Sequence, residues 1–284
     1  DIALLCFAIM QNGGLEMTRM TRPKIAIHHF PATDGSPHPP LLFIHGAWHG
    51  AWCWQDGFID RLNQQGFDCY AIDLRGHGES EAAKTMRWNR IADYVDDVSH
   101  AVEIIGGKPI LVGHSMGGFI CQHISHRNAP VSGIALMASA PHNGVWRLVL
   151  RMLVKDPLAL ILSFAKLSLL PVIRSTEAIR DMFLDANTPD PKVKAFGAKL
   201  IDESFLAFLD MLLLDLPKRA AARPPMLVIG GEKDTVCLPS EQQSLADYYG
   251  VACHIIEDAP HNLMSQAKWH EAADTLAEWA ETLA

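Results

Sequence analysis

One segment constrains this chain more than any other: Lys108–Gly118, reading KPILVGHSMGG. It passes from an apolar run of strand type through Gly113-His114-Ser115-Met116-Gly117 into a run of helix type. A G-x-S-x-G pattern between strand and helix marks a sharp turn that lifts its serine hydroxyl above the end of a sheet. The turn is strained and crowded, so a side chain at either glycine would meet the neighbouring strand or helix. The helix that follows begins at Met116, and its free N–H faces developing negative charge beside Ser115.

The rest of the chain supplies the sheet. Strand candidates are Ile25–Phe30, Leu41–His45, Asp68–Asp73, Pro109–Gly113, Gly133–Ala138, Met226–Gly230 and Ala252–Glu257. Most are continuous apolar runs without in–out alternation, as expected of strands covered by helices on both faces. Helix candidates fall between them at Gln55–Gln65, Ile91–Ile105, Met116–Arg127, Pro239–Tyr249 and Trp269–Leu283. Strand and helix in turn predict an α/β fold with a doubly wound, mostly parallel sheet. Ligands of such sheets bind beyond the carboxyl ends of the strands.

From residue 141 to 217 the strand signals stop. Arg147, Arg151 and Lys155 form a polar stripe on an otherwise apolar helix, followed by the apolar stretches Leu158–Leu170 and Ser204–Leu214. We read residues 141–217 as a helical cap inserted into a core made of 23–140 and 218–284. Charges and prolines interrupt the cap too often for stable membrane insertion. Its apolar surplus can pack on the sheet, wall a pocket for an acyl chain or aromatic group, or rest on a membrane interface. Residues 1–22 start at Asp1, with an apolar run from Ile2 to Met10, and are expected to be a flexible leader or vector-derived tail ahead of a start at Met17 or Met20.

With 24 basic and 32 acidic residues the net charge is −8, and no basic run is present, which argues against nucleic-acid partners. The six cysteines form no CxxC pair and no zinc spacing, so they read as free thiols of a reducing, cytoplasmic compartment.

A serine at its ordinary pKa is a weak nucleophile and needs a base. Among 14 histidines, His261 is favoured because Asp258-Ala259-Pro260-His261 follows the last strand and precedes the last helix, at the same sheet edge as Ser115. An acid that fixes the imidazole should follow a strand between serine and histidine, and Asp234 in GGEKD does so. Glu232 and Asp258 are its rivals, and a helix cap before Pro239 is the competing role for Asp234. His45-Gly46 ends an early strand where the backbone turns to present a second donor, the Ala47 N–H, beside that of Met116; His45 and His77 are expected to be structural. Trp48, His114, Leu148, Leu153 and Phe205 are candidate pocket residues, although the His114 side chain is expected to point away from Ser115.

The HG pair at His45-Gly46, D-L-R-G-H-G-x-S from Asp73 to Ser80, the GHSMGG elbow, G-x-x-D at Gly231–Asp234 and Pro260-His261, in this order, resemble the α/β-hydrolase superfamily, in its esterase/lipase branch with a helical cap. The resemblance covers nearly everything after residue 24, and the leader matches nothing in that family. It implies a serine esterase acting on short-to-medium-chain or aromatic esters through an acyl-enzyme on Ser115, with Ala47 and Met116 as oxyanion donors, no metal and no organic cofactor. The loop HGAWHGAWCW also resembles plant methylesterases and hydroxynitrile lyases. A lyase or C–C hydrolase, or a small-molecule receptor of hydrolase fold, are therefore the alternatives. The sequence sets no oligomeric state.

Overall fold

The computed structural model describes residues 22–283, apart from 34, 83, 84, 128, 220 and 221. The proposed leader and Cys6 thus lie outside the described residues, save Arg22.

In chain order the elements are β1 (Ile27–Phe30), β2 (Leu41–Ile44), α1 (Phe58–Gln64), β3 (Cys69–Ile72), α2 (Ile91–Ile105), β4 (Ile110–His114), α3 (Met116–Ile124) and β5 (Gly133–Met137). Only helices and turns follow until β6: α4 (Trp146–Lys155), α5 (Pro157–Lys166), α6 (Thr176–Phe183), α7 (Asp190–Gly197) and α8 (Phe205–Leu209). The chain closes with β6 (Met226–Gly231), α9 (Pro239–Tyr249), β7 (Cys253–Ile256) and α10 (Trp269–Glu281).

The strands form one sheet in the order β1-β3-β2-β4-β5-β6-β7, parallel except for β1, which runs antiparallel to β3. Alternate side chains of each strand leave by opposite faces, so two cores form. Leu42, Ile44, Leu111, Leu136 and Val228 pack with α2, α3 and α9. Leu41, Phe43, Val112, Met137 and Ile229 pack with α1 and α10. Central strands buried on both faces account for the unbroken apolar runs in the sequence.

Several boundaries differ from the sequence reading for local reasons. The helix foreseen from Gln55 starts at Phe58, because Gly57 sits at φ 92° and breaks the backbone. The helix foreseen to Arg127 stops at Ile124, where the Ser125 hydroxyl donates to the Gln122 carbonyl and the chain turns. The stretch Ser204–Leu214 is a short α-helix followed by a wider π turn at Asp210–Leu214. There the Asp210 carboxylate accepts from Arg90 Nε at 2.7 Å and from the Ile91 N–H at 3.0 Å, at the start of α2. Helices α6 and α7 lie within the stretch expected to be helical, although their own bounds were not foreseen.

The D-L-R-G-H-G-x-S stretch is a hub that knits sheet, loops and inserted helices together. Asp73 accepts from the Ala51 N–H, the Glu79 N–H and His28 Nε2 at 2.7–3.0 Å. A Cβ on Gly78 would lie 2.2 Å from the Asp73 carboxyl carbon, so this position admits glycine alone. Arg75 grips the buried Asp97 of α2, and His77 pairs with Glu203, a residue of the inserted segment, at 3.1 Å.

Candidate active site

The turn after β4 holds Ser115 at φ 53°, ψ −115°, a conformation that a non-glycine residue adopts only when its surroundings impose it. Those surroundings are visible. A Cβ on Gly113 would approach the Gly117 carbonyl oxygen to 2.5 Å, and one on Gly117 would approach that of Ile44 to 2.3 Å. The Ser115 N–H donates to Met137 O, and its carbonyl accepts from the Ala140 and Phe119 N–H groups. The serine is thus clamped between β5 and the first turn of α3.

The loop after β2 lies against this elbow. A Cβ on Gly46 would sit 2.9 Å from Ser115 Cβ, so only glycine lets the two backbones come this close. Leu74 donates its N–H to His45 Nε2 at 3.1 Å, which assigns the proton to Nδ1. That Nδ1–H donates to Gly46 O at 2.9 Å, the carbonyl of the same peptide whose N–H belongs to Ala47. His49 donates through Nδ1 to Ala47 O at 2.7 Å. Two histidines therefore fix the peptide planes on either side of Ala47. Burial holds both neutral, bringing His45 to about 3 and His49 to about 4. Trp48 follows at φ 65°, its carbonyl held by the Ile201 N–H at 3.0 Å.

Asp234 and His261 meet across the loops after β6 and β7, His261 Nδ1 to Asp234 Oδ2 at 2.8 Å, both fully buried. The other carboxylate oxygen, Oδ1, accepts from the Val236 and Cys237 N–H groups at 2.8 and 2.9 Å. The helix that starts at Pro239 is capped instead by Glu241, which accepts the Leu238 N–H at 2.9 Å, so the Asp234 carboxylate braces the loop ahead of it and His261. A Cβ on Gly231 would clash with Ala259 O at 2.4 Å, so the two loops can touch only with glycine there. The rivals lie outside: Asp258 is exposed, and Glu232, also exposed, accepts the Asp258 N–H and pairs with Lys233.

His114 does not line the cavity above Ser115, against the pocket reading. It is buried, burial and the neighbouring His261 hold it neutral, and its Nε2 donates to His261 O at 3.0 Å, with the two rings 4.8 Å apart. It ties the elbow to the histidine loop rather than facing a pocket. Its neighbour in sequence, Ser115, makes no side-chain hydrogen bond to His261 among the described residues.

Above Ser115 is a narrow apolar cavity walled by Ala47, Trp48, Met116, Leu148, Met152 and Phe208, and closed further by Leu160, Val172, Met211 and Cys237. Trp48 and Leu148, two of the candidate pocket residues, line it. Leu153 does not: it lies on the outward side of α4, 49% exposed. Phe205 is buried against Phe164 and Phe208, behind the wall. The sequence reading missed Met152 and Phe208, whose helical phase follows from packing, and His49, whose signal was its place in the H-G-A-W-H-G loop.

The comparisons with known proteins agree with this architecture. Residues 41–278 match the model of the alpha/beta hydrolase family. Protein phosphatase methylesterase 1 of Bos taurus is 35% identical over 114 residues, covering 36% of this chain and 28% of that protein. Methylesterase 10 of Arabidopsis thaliana is 31% identical over 122 residues, covering 41% of this chain and 39% of that protein. The overlap takes in under two fifths of either relative. An esterase from Exiguobacterium antarcticum superposes with a TM-score of 0.69 at 17% identity, over 91% of this chain and 96% of that one. With the family match running from β2 into α10, the chain belongs to the alpha/beta hydrolase family.

Proposed function

We propose that this chain is a serine hydrolase of carboxylic esters, with Ser115 as nucleophile, His261 as general base and Asp234 as its orienting acid. The observation that carries the reading is a strained Ser115 at the floor of an apolar cavity, in a turn that His114 ties to the loop of His261, whose Nδ1 is committed to a buried carboxylate. That bond leaves His261 Nε2 as the proton acceptor. The Ser115 oxygen attacks the ester carbonyl carbon as Nε2 takes its proton. The Ala47 and Met116 N–H groups receive the oxyanion. Nε2 then protonates the leaving alcohol, and water repeats the sequence to free the acid and regenerate Ser115. The Ser115–His261 link closes in this reading when substrate is bound, as hydrogen bonds of such sites commonly do.

The helices between β5 and β6, residues 141–217, act as the cap and select the acyl or aromatic part of the ester. Leu148, Met152, Leu160 and Phe208 offer this group apolar contact alone, which supports short-to-medium-chain or aromatic esters. A cyanohydrin lyase would need a polar or lysine-bearing wall, and the side chains named here supply none. The likeness to methylesterases and esterases agrees with ester chemistry. The test is a chain-length series of p-nitrophenyl esters on the wild type and Ser115→Ala. The expected result is hydrolysis of short-to-medium esters that falls by about 10⁴-fold or more in the variant. Equal turnover by Ser115→Ala, or cyanohydrin cleavage without ester hydrolysis, contradicts the proposal.

A further inference from the structure

Helices α4 and α5 are consecutive and turn apolar faces outward. Trp146, Leu150, Leu153 and Val154 of α4 are 37–87% exposed, and Leu158, Ile161 and Phe164 of α5 are 45–62% exposed. Their spacing puts each set on a single arc of its helix. Leu213 and Leu214 are also exposed, in the π turn whose Met211 O accepts the Val145 N–H at the head of α4. Single exposed apolar side chains are ordinary, but a continuous field of them is the mark of a contact surface.

We infer that this outward face of α4 and α5 docks on an anionic lipid surface, seating its apolar side chains at the boundary between headgroups and acyl chains. Charge selects this occupant. The chain carries −8 overall, yet the patch is bordered by Arg147 and Lys166, neither ion-paired among the described residues. The Arg147 guanidinium lies 5.2 Å above the Trp146 ring, an arrangement suited to the headgroup level. A second copy on this face would add two more cations, its own Arg147 and Lys166, and no anion from these positions. Anionic headgroups would neutralise them instead.

The position of the face gives the docking a use. The inward sides of the same two helices, through Leu148, Val149, Met152, Leu160 and Ser163, wall the cavity above Ser115. A lipid surface on the outer side thus lies one helix thickness, about 10 Å, from that cavity. Lipid-partitioned esters are the substrate class this arrangement would serve. That part rests on the proposed hydrolase activity, whereas the docking does not.

The test is flotation of the full chain with vesicles of phosphatidylcholine alone and of phosphatidylcholine with about one third phosphatidylserine, alongside light-scattering measurement of its mass in solution. Wild type and Ser115→Ala are expected to float equally with the anionic vesicles and far less with neutral ones. Leu150→Ser/Val154→Ser/Ile161→Ser should lower partitioning at least roughly tenfold, since three exposed apolar groups are lost. Its turnover of a water-soluble ester should be unchanged, because none of the three lines the cavity. Arg147→Glu/Lys166→Glu, which keeps every apolar side chain of the patch, should lower it more than about fivefold. Failure of the wild type to float, undiminished flotation by both variants, or a dimer that the triple substitution dissolves would each overturn the inference. Loss of ester turnover in Ser115→Ala with flotation retained separates the two proposals.

Discussion

His45 and His49 shape the loop beside Ser115 by being uncharged, and this gives the fold a signature in acid. Both ordinarily titrate near 6.5, and burial brings them to about 3 and about 4. Below 6.5 the unfolded chain binds two protons that the folded chain refuses, so their contribution falls as the pH drops from 6.5 toward 4. At pH 5 the loss is about 2 kcal/mol for each. His77, raised by its pairing with Glu203 against the effect of burial, works in the opposite sense. A variant is therefore needed to isolate one histidine. In His49→Gln, urea unfolding measured at pH 7 and pH 5 should show an acid loss about 2 kcal/mol smaller than in the wild type. The same pH dependence in both proteins would mean that His49 is not held neutral.

At the scale of elements, the contact between inserted helices and core turns on one buried pair. Glu203, just ahead of α8, accepts from His77 Nε2 at 3.1 Å and from Tyr94 OH of α2 at 2.7 Å. Burial works to neutralise both members, and their mutual attraction outweighs it, lowering Glu203 and raising His77. Glu203 contributes stability above its ordinary 4.5, lost as the pH falls through its lowered value. His77 contributes below its ordinary 6.5, lost as the pH rises through its raised value. The pair is thus strongest between about pH 4.5 and 6.5. Glu203→Gln should cost about 3 kcal/mol at pH 5.5 and less at pH 8, read as a shift in urea midpoint. Equal cost at the two pH values would show that hydrogen bonding, rather than charge, holds the contact.

The elements differ in how far the sequence revealed them. Strands β2, β4, β5 and β6 were legible because burial on both faces leaves no polar position to interrupt the apolar run. Helices α2 and α9 were found at their true bounds, where Gly106 and Gly250 mark the ends with positive φ. Within 141–217 the composition announced helices but not their phase. Leu148 and Met152 face the cavity, while Leu153, one residue and about 100° further round α4, faces outward. Only packing against the core decides which arc turns inward, and that information lies in residues far along the chain.

For the molecule as a whole, the candidate site was readable because parallel sheets gather the ends of their strands at one edge. Ser115 follows β4, Asp234 follows β6 and His261 follows β7, so their places in the chain brought them to a common edge without knowledge of a single contact. The residues that hold this arrangement were hidden. His114 ties the serine turn to the histidine loop, and the Val236 and Cys237 amides hold the second oxygen of Asp234. These are hydrogen bonds between loops, and no periodicity encodes them. The account's central claim is that Ser115 is the activated nucleophile. Reaction of the folded chain with a fluorophosphonate, followed by peptide mass mapping, tests it most directly. The prediction is a single covalent adduct on Ser115, formed at least about 10³-fold more slowly in His261→Ala. An adduct on another residue, or labelling of Ser115 at an equal rate without His261, would contradict it.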